Sequence, residues 1–255
     1  MCSEKLFLSF FQEEGEEMKR HFFVVLVGLF LLMLVGCKAS HPSKIVVDPS
    51  FNPNEIVDIL VVPFISSIGE GEDPKRFSET IMNKVLWERL SERDDYKFLS
   101  PQQFSYAMNR AGLSGRFGEF KEKWIKNHTI DLKFLEGIRR VINAQTMLIP
   151  HVYLWHKDEA DYREASAVST TQVGATLSLV DMKTGKILWE ATDENYKEAV
   201  RSEMRSVVSS GGYVRRIEGV SVTGQDVYSA PPYGDVAVLV LESIVEALPR
   251  KGAIE

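Results

Sequence analysis

Residues 171–191 read TQVGATLSLVDMKTGKILWEA. Val173, Ala175, Leu177 and Leu179 alternate with Gln172, Gly174, Thr176 and Ser178. That is the period of two a strand imposes, because successive side chains leave opposite faces. Asp181-Met-Lys-Thr-Gly185 interrupts the alternation, and Gly185 is suited to the positive φ that closes a hairpin. Ile187, Trp189 and Ala191 then resume on one face of a return strand. The pattern predicts a half-exposed antiparallel strand over 167–180 and, with its hairpin, an antiparallel meander.

Upstream of the hairpin, QTMLIPHVYLWH (145–156) reads as a further strand. The β-branched run IVDILVVPF (56–64) reads as a buried first strand bounded by Pro53 and Pro63. Asp73-Pro74 offers an N-cap and a first-turn proline to a helix over 75–92. Phe77, Ile81, Met82, Val85, Leu86 and Leu90 fall on one face of it. A short strand at 96–99 and a helix at 101–111 stopped by Gly112 follow. Residues 117–144 read as mostly helical, with Trp124, Ile125, Leu132, Leu135, Ile138 and Val141 as the core side. An apolar helix over 235–248, stopped by Pro249, closes the chain, with Val236, Val240, Ile244 and Leu248 on its buried stripe. The order β-α-β-α-α-β-β-β-α predicts an α/β (α+β) layered sandwich: a mixed sheet ending in an antiparallel meander, with helices packed against it.

The N-terminal region speaks to location. FFVVLVGLFLLMLVG (22–36) follows Lys19, Arg20 and His21, the positive and apolar segments of a secretory leader. At about 15 residues it is shorter than the roughly 20 a spanning helix needs. It ends at Leu34-Val35-Gly36-Cys37, which resembles the lipobox of bacterial lipoproteins. That resemblance implies cleavage between Gly36 and Cys37 and acylation of Cys37. A short anchor with an incidental cysteine is the alternative. Lys38 stands where the inner-membrane retention rule places Asp, which implies an outer-membrane, periplasm-facing address. Residues 1–17 hold five Glu and a single Lys, the wrong charge for the start of a leader. They are expected to be a mis-annotated extension, with synthesis starting at Met18. The expected organisation is then 18–36 leader, 37–54 lipidated cysteine and Pro-bearing linker (Pro42, Pro49, Pro53), and 55–250 one globular periplasmic domain.

Composition narrows the function classes. The formal net charge is −6, without the concentrated basic face that nucleic-acid binding requires. The two cysteines are Cys2 and Cys37, so no disulfide, thiol nucleophile or thiolate metal site is expected downstream of the anchor. His151 and His156, five apart on one strand, are expected to face opposite sides and share no metal. His128 has no local partner in the sequence. Asp158, Glu159, Asp161 and Glu164 lack the fixed spacing and turn glycine of a calcium loop and read as a solvated hairpin end. Ser209-Ser210-Gly211-Gly212 lacks a nucleophile elbow. The acidic residues Glu70, Glu72 and Asp73 would repel an anion from the Gly69/Gly71 loop. Trp124, Trp155 and Trp189 lie within apolar stripes and are expected in the core. No catalytic residue, cofactor, metal or small-molecule substrate is expected. Two partner-binding candidates stand out. Tyr213, Arg215, Arg216 and Tyr228 concentrate the residue types that dominate interface hot spots. An unpaired edge of the mixed sheet is the other, since edges recruit strands.

Val61-Val62-Pro63-Phe64, Ser100-Pro101, the Asp181-x-x-Thr184-Gly185-x-x-x-Trp189 hairpin and the Pro231-to-Leu248 helix together resemble one superfamily. It holds the curli secretion lipoprotein CsgG, the penicillin-binding-protein activator LpoB and the N-terminal domain of TolB. The likeness runs over about residues 56–250 and its motifs are structural. It implies a non-enzymatic, membrane-anchored adaptor or assembly factor that binds an envelope protein or copies of itself. Its variants would be a secretion-channel component or an activator of a peptidoglycan synthase. The short linker weighs against the activator. The charged 158–169 and irregular 194–232 segments weigh against membrane-spanning hairpins. An envelope hydrolase is the reading from another class.

Overall fold

The computed structural model describes residues 42–160, 168–199 and 229–252. Its framework is one seven-stranded mixed sheet in the order β1-β7-β6-β5-β2-β4, with β3 also pairing β5. The strands are β1 (Lys44–Val47), β2 (Asp58–Val61), β3 (Ile65–Ser66), β4 (Lys97–Leu99), β5 (Thr146–Asp158), β6 (Thr170–Asp181) and β7 (Ile187–Glu198). β2 runs parallel to β4 and β5, whereas β5, β6, β7 and β1 pair antiparallel. The sheet is open, and helices cover both of its faces. Helices α1 (Phe77–Ser91) and α5 (Tyr233–Glu246) lie on one face. Helices α2 (Pro101–Arg110), α3 (Phe117–Asn127) and α4 (Leu132–Arg139) lie on the other. The layered α/β sandwich expected from the element order is the fold observed.

Each face carries its own core. Met82, Leu86 and Leu90 of α1 and Val236, Val240 and Ile244 of α5 pack on Ile59, Leu148, Val152, Leu177, Leu179 and Trp189. On the other face Phe104, Phe120, Trp124, Phe134 and Leu135 pack on Leu60, Met147, Ile149 and Val180. Trp124, Trp155 and Trp189 are all buried. Phe120 stacks on Phe134 with ring centres 4.8 Å apart, a contact that adds to the apolar area these rings remove from water.

Several local expectations shift. From Val173 to Val180 β6 is buried on both faces, not half-exposed. Its polar side accommodates burial by pairing across the ladder, with Thr176 Oγ1 3.0 Å from Thr192 Oγ1 and Ser178 Oγ donating to Glu190 at 2.8 Å. Ile187 does not share a face with Trp189. A register shift after Leu179 pairs Val180 with Ile187, so the extra residue, Leu188, turns Ile187 toward the α2–α4 core. α1 starts two residues later than expected, after Arg76 in the left-handed region at φ 51°. Asp73 still caps it from upstream, accepting from the Phe77 and Ser78 amides at 2.8 and 2.9 Å. The single helical stretch of 117–144 divides at His128, also left-handed at φ 51°. Leu132, expected in the core, is half exposed.

Within the segment read as linker, Lys44–Val47 is a strand of the sheet. Lys44 pairs with Thr192 and Val47 with Trp189. The flanking prolines dominated the composition, but Lys44-Ile-Val-Val47 between them is β-branched and pairs as such.

Candidate functional site

A concavity among the described residues lies at the carboxyl ends of the parallel pair β2 and β4. Parallel strands deliver their following segments to one end of the sheet, where open α/β sheets leave a crevice. After β2 the chain reaches Pro63; after β4 it enters α2 at Ser100-Pro101. Ser100 forms a capping box with Gln103, its hydroxyl accepting from the Gln103 amide at 3.3 Å and its own amide donating to Oε1 of Gln103 at 2.7 Å. α1 crosses the opposite wall, and Asn83 pins it there by accepting from the Phe64 amide at 2.9 Å.

The groove between α1 and α2 has a volume of about 720 Å³ and is lined by Pro63, Asn83, Trp87, Pro101, Tyr106 and Asn109 among others. Lys84 and Glu88 at its rim are 3.9 Å apart and largely exposed. Tyr106 is 57% exposed. Apolar walls, two aromatic side chains and a few amides make a surface for binding. Its lining holds no histidine, cysteine or aspartate. Sequence reading missed Trp87 and Tyr106. The Trp87 signal was its place on α1 outside the buried Met82-Val85-Leu86-Leu90 stripe.

A second open surface lies on the outer half of β5–β7, on the face that α2–α4 cover elsewhere. Tyr153 lies over Gly174, where an added Cβ would meet the ring at 3.0 Å, and its hydroxyl donates to Glu194 at 3.0 Å. Burial, reinforced by the Glu194 bond, raises the Tyr153 hydroxyl above its ordinary 10. Tyr196 is 59% exposed beside it.

The histidines are placed differently from expectation. β5 slips register between Val152 and Leu154, so His151 pairs with Thr176 and His156 with Gln172. Those partners are four apart on β6, and both histidines therefore face the same side. They remain too far apart along the strand to share a metal. No cluster of three metal-binding side chains occurs among the described residues. Burial, aided by the charge of His128, lowers His151 from 6.5 to about 4. Its Nε2 is 3.0 Å from Ser67 Oγ, but neither residue lines the groove between α1 and α2. The pair fastens the end of β3 to β5. His128 does have partners: it stacks on Trp124 with ring centres 5.2 Å apart, and Nδ1 is 3.8 Å from Glu190.

Gly36 and Cys37, the Tyr213/Arg215/Arg216/Tyr228 patch, the Ser209–Gly212 turn and Asp161 to Glu164 of the acidic tip lie outside the described residues. Glu159 at that tip accepts from the Ala230 amide at 3.0 Å. No helix among the described residues is long and apolar enough to cross a membrane.

No protein-family model matches the chain, and no curated protein matches its sequence. Among solved structures it is similar to a lipoprotein from Neisseria meningitidis, at 16% identity over 56% of this chain and 84% of that one, TM-score 0.37. It is similar to the PelC dodecamer from Paraburkholderia phytofirmans, at 13% identity over 79% and 94%, TM-score 0.34. It is also similar to the C-terminal domain of LpoB from Salmonella enterica, at 17% identity over 58% and 87%, TM-score 0.33.

Proposed function

We propose that this chain is a lipid-anchored envelope protein that binds a protein partner without catalysing a reaction, acting as an adaptor or assembly factor. Cys37 carries the anchor after cleavage behind Gly36, and the outer membrane is the address, with the α/β sandwich facing the periplasm. The observation that carries the binding role is the groove between α1 and α2, with Trp87 and Tyr106 on its walls. Tryptophan and tyrosine bring large contact area at little conformational cost and lead interface hot spots. The Ser105 hydroxyl on its wall donates to the Pro101 carbonyl at 3.1 Å, and Lys84 and Glu88 face each other at its rim, an arrangement that suits contact with a partner.

The Tyr213/Arg215/Arg216/Tyr228 patch belongs to the same proposal as a second contact. A CsgG-like secretion channel and an activator of a peptidoglycan synthase are narrower versions of it, carried by the resemblance alone.

The test is crosslinking in intact cells followed by mass spectrometry, comparing the parent chain with Trp87→Ala/Tyr106→Ala. Loss of a crosslinked partner, with unchanged circular dichroism and unchanged acyl mass on Cys37, supports the groove. Retention of every partner refutes it. Absence of acyl mass from the parent chain refutes the anchor independently.

A further inference from the structure

The free edge of the sheet is self-complementary. β1 pairs only with Trp189–Thr192 of β7, and its other side has no neighbour among the described residues. Ile45, Val46 and Val47 are 47%, 47% and 49% exposed, an apolar run on a strand position that proteins ordinarily blunt. The residue before this run is Lys44 and the residue after it is Asp48. Read antiparallel against itself about Val46, the segment sets Lys44 opposite Asp48, Ile45 opposite Val47, and Val46 opposite Val46.

The backbone phase agrees with that register. The Asp48 amide donates inward to the Leu188 carbonyl at 2.8 Å. By antiparallel alternation Val46 and Lys44 also bond inward, and Ile45 and Val47 present their N–H and C=O outward. A register centred on Val46 matches the outward Ile45 of one copy with the outward Val47 of the other, so each pair exchanges two hydrogen bonds. A register shifted by one residue would face outward groups with inward ones. Lys44 has no ion pair among the described residues. Asp48 is already held by Lys186 at 2.8 Å, so the second copy's Lys44 would join an existing pair.

We propose that two copies of this chain associate through β1, antiparallel about a two-fold axis through Val46, to make one continuous sheet. The occupant of the edge is a second copy, since the charge order along Lys44–Asp48 complements itself. Lipid is disfavoured there, because the unpaired backbone groups of an edge strand have no partner in hydrocarbon. The proposal stands on the geometry of β1. It draws on the Cys37 anchor only for confinement: six residues, Lys38 to Ser43, separate Cys37 from β1. They span at most about 20 Å. A two-fold axis along the membrane normal leaves both anchors on the same bilayer, where the shared surface raises the effective concentration of a short edge.

The test uses the full chain in a Cys2→Ser background, with palmitate labelling read in parallel so that loss of the anchor is seen separately. Opposed Val46 residues lie about 4.5 Å apart, within reach of a disulfide. The Lys44 residues of the two copies lie about 13 Å apart, beyond it. Val46→Cys should run as a covalent dimer on a non-reducing gel and Lys44→Cys should not. In detergent, sedimentation should give a dimer for the parent chain and a twofold lower mass for Val46→Lys, with unchanged circular dichroism. A monomeric parent chain, equal crosslinking at both positions, or an oligomer indifferent to Val46→Lys overturns the proposal. So does a Val46→Lys chain that loses contact with lipid vesicles but keeps the parent mass.

Discussion

Replacing Arg93 with methionine tests how the last helix is held. The Arg93 side chain is 7% exposed and that of Asp95 14%. Arg93 Nε and Nη2 donate to Asp95 at 2.9 and 2.6 Å, while Nη1 donates to the Val245 and Leu248 carbonyls at 2.7 and 2.9 Å. One guanidinium therefore closes the carboxyl end of α5 and ties it to the turn after α1. Burial alone would raise the Asp95 carboxyl, but the Arg93 bonds and charge outweigh it and hold it below 3.8. Methionine keeps most of the stem's packing, strands a part-buried carboxylate and frees two helix-end carbonyls. Breaking a fully buried pair from one side costs about 3–5 kcal/mol, and this part-buried one should cost about 3 kcal/mol. With a urea dependence of about 2 kcal/mol per M, the unfolding midpoint falls by roughly 1.5 M. Arg93→Lys keeps the charge but loses the planar fork, and should cost about 1–2 kcal/mol. Arg93→Met/Asp95→Leu should recover part of the loss, because no charge is left buried. Urea titration followed by far-ultraviolet circular dichroism measures all three. A shift for Arg93→Met below about 0.5 M at unchanged slope, or a double variant weaker than the single one, would refute the reasoning.

Three further outcomes are expected. His151 is held near 4 when folded against its ordinary 6.5, so the unfolded chain binds the proton first as pH falls. The stability is complete above about 6.5 and declines toward 4, by up to roughly 3 kcal/mol; His151→Gln should flatten that limb of a stability–pH profile. Ser100→Ala removes the capping-box hydroxyl of α2 and should cost about 1 kcal/mol in the same urea assay, with Ser100→Asp retaining most of it. Gly185 closes the β6–β7 hairpin at φ 72°, and a Cβ there would meet Leu132 at 3.0 Å. Gly185→Ala should lower stability by about 1–2 kcal/mol, read as a drop in melting temperature.

Much of the fold was legible because its signals are local. Val173 to Leu179 and Trp189 to Ala191 declare their strands by alternation, and Ser100-Pro101 declares a helix start by its capping chemistry. The misreadings occur where one residue changes the count. The extra residues at Tyr153 and Leu188 turn His151 and His156 to one face and send Ile187 to the second core. A bulge forms because of what the partner strand offers, and no alternation within one strand reveals it. Likewise β6 looked half-exposed because its composition alternates, whereas Thr176 and Ser178 are buried by pairing with residues of β7.

The sequence by itself determined the layered α/β class, since that depends on element order and periodicity, and it carries the Leu34-to-Cys37 pattern on which the proposed anchor rests. Only the tertiary structure decided that Trp87 and Tyr106 line a groove and that Lys44–Val47 ends the sheet as an exposed edge. Both depend on which elements become neighbours. The carboxyl ends of β2 and β4 meet because parallel pairing brings them together, and β1 is an edge because nothing described lies beyond it.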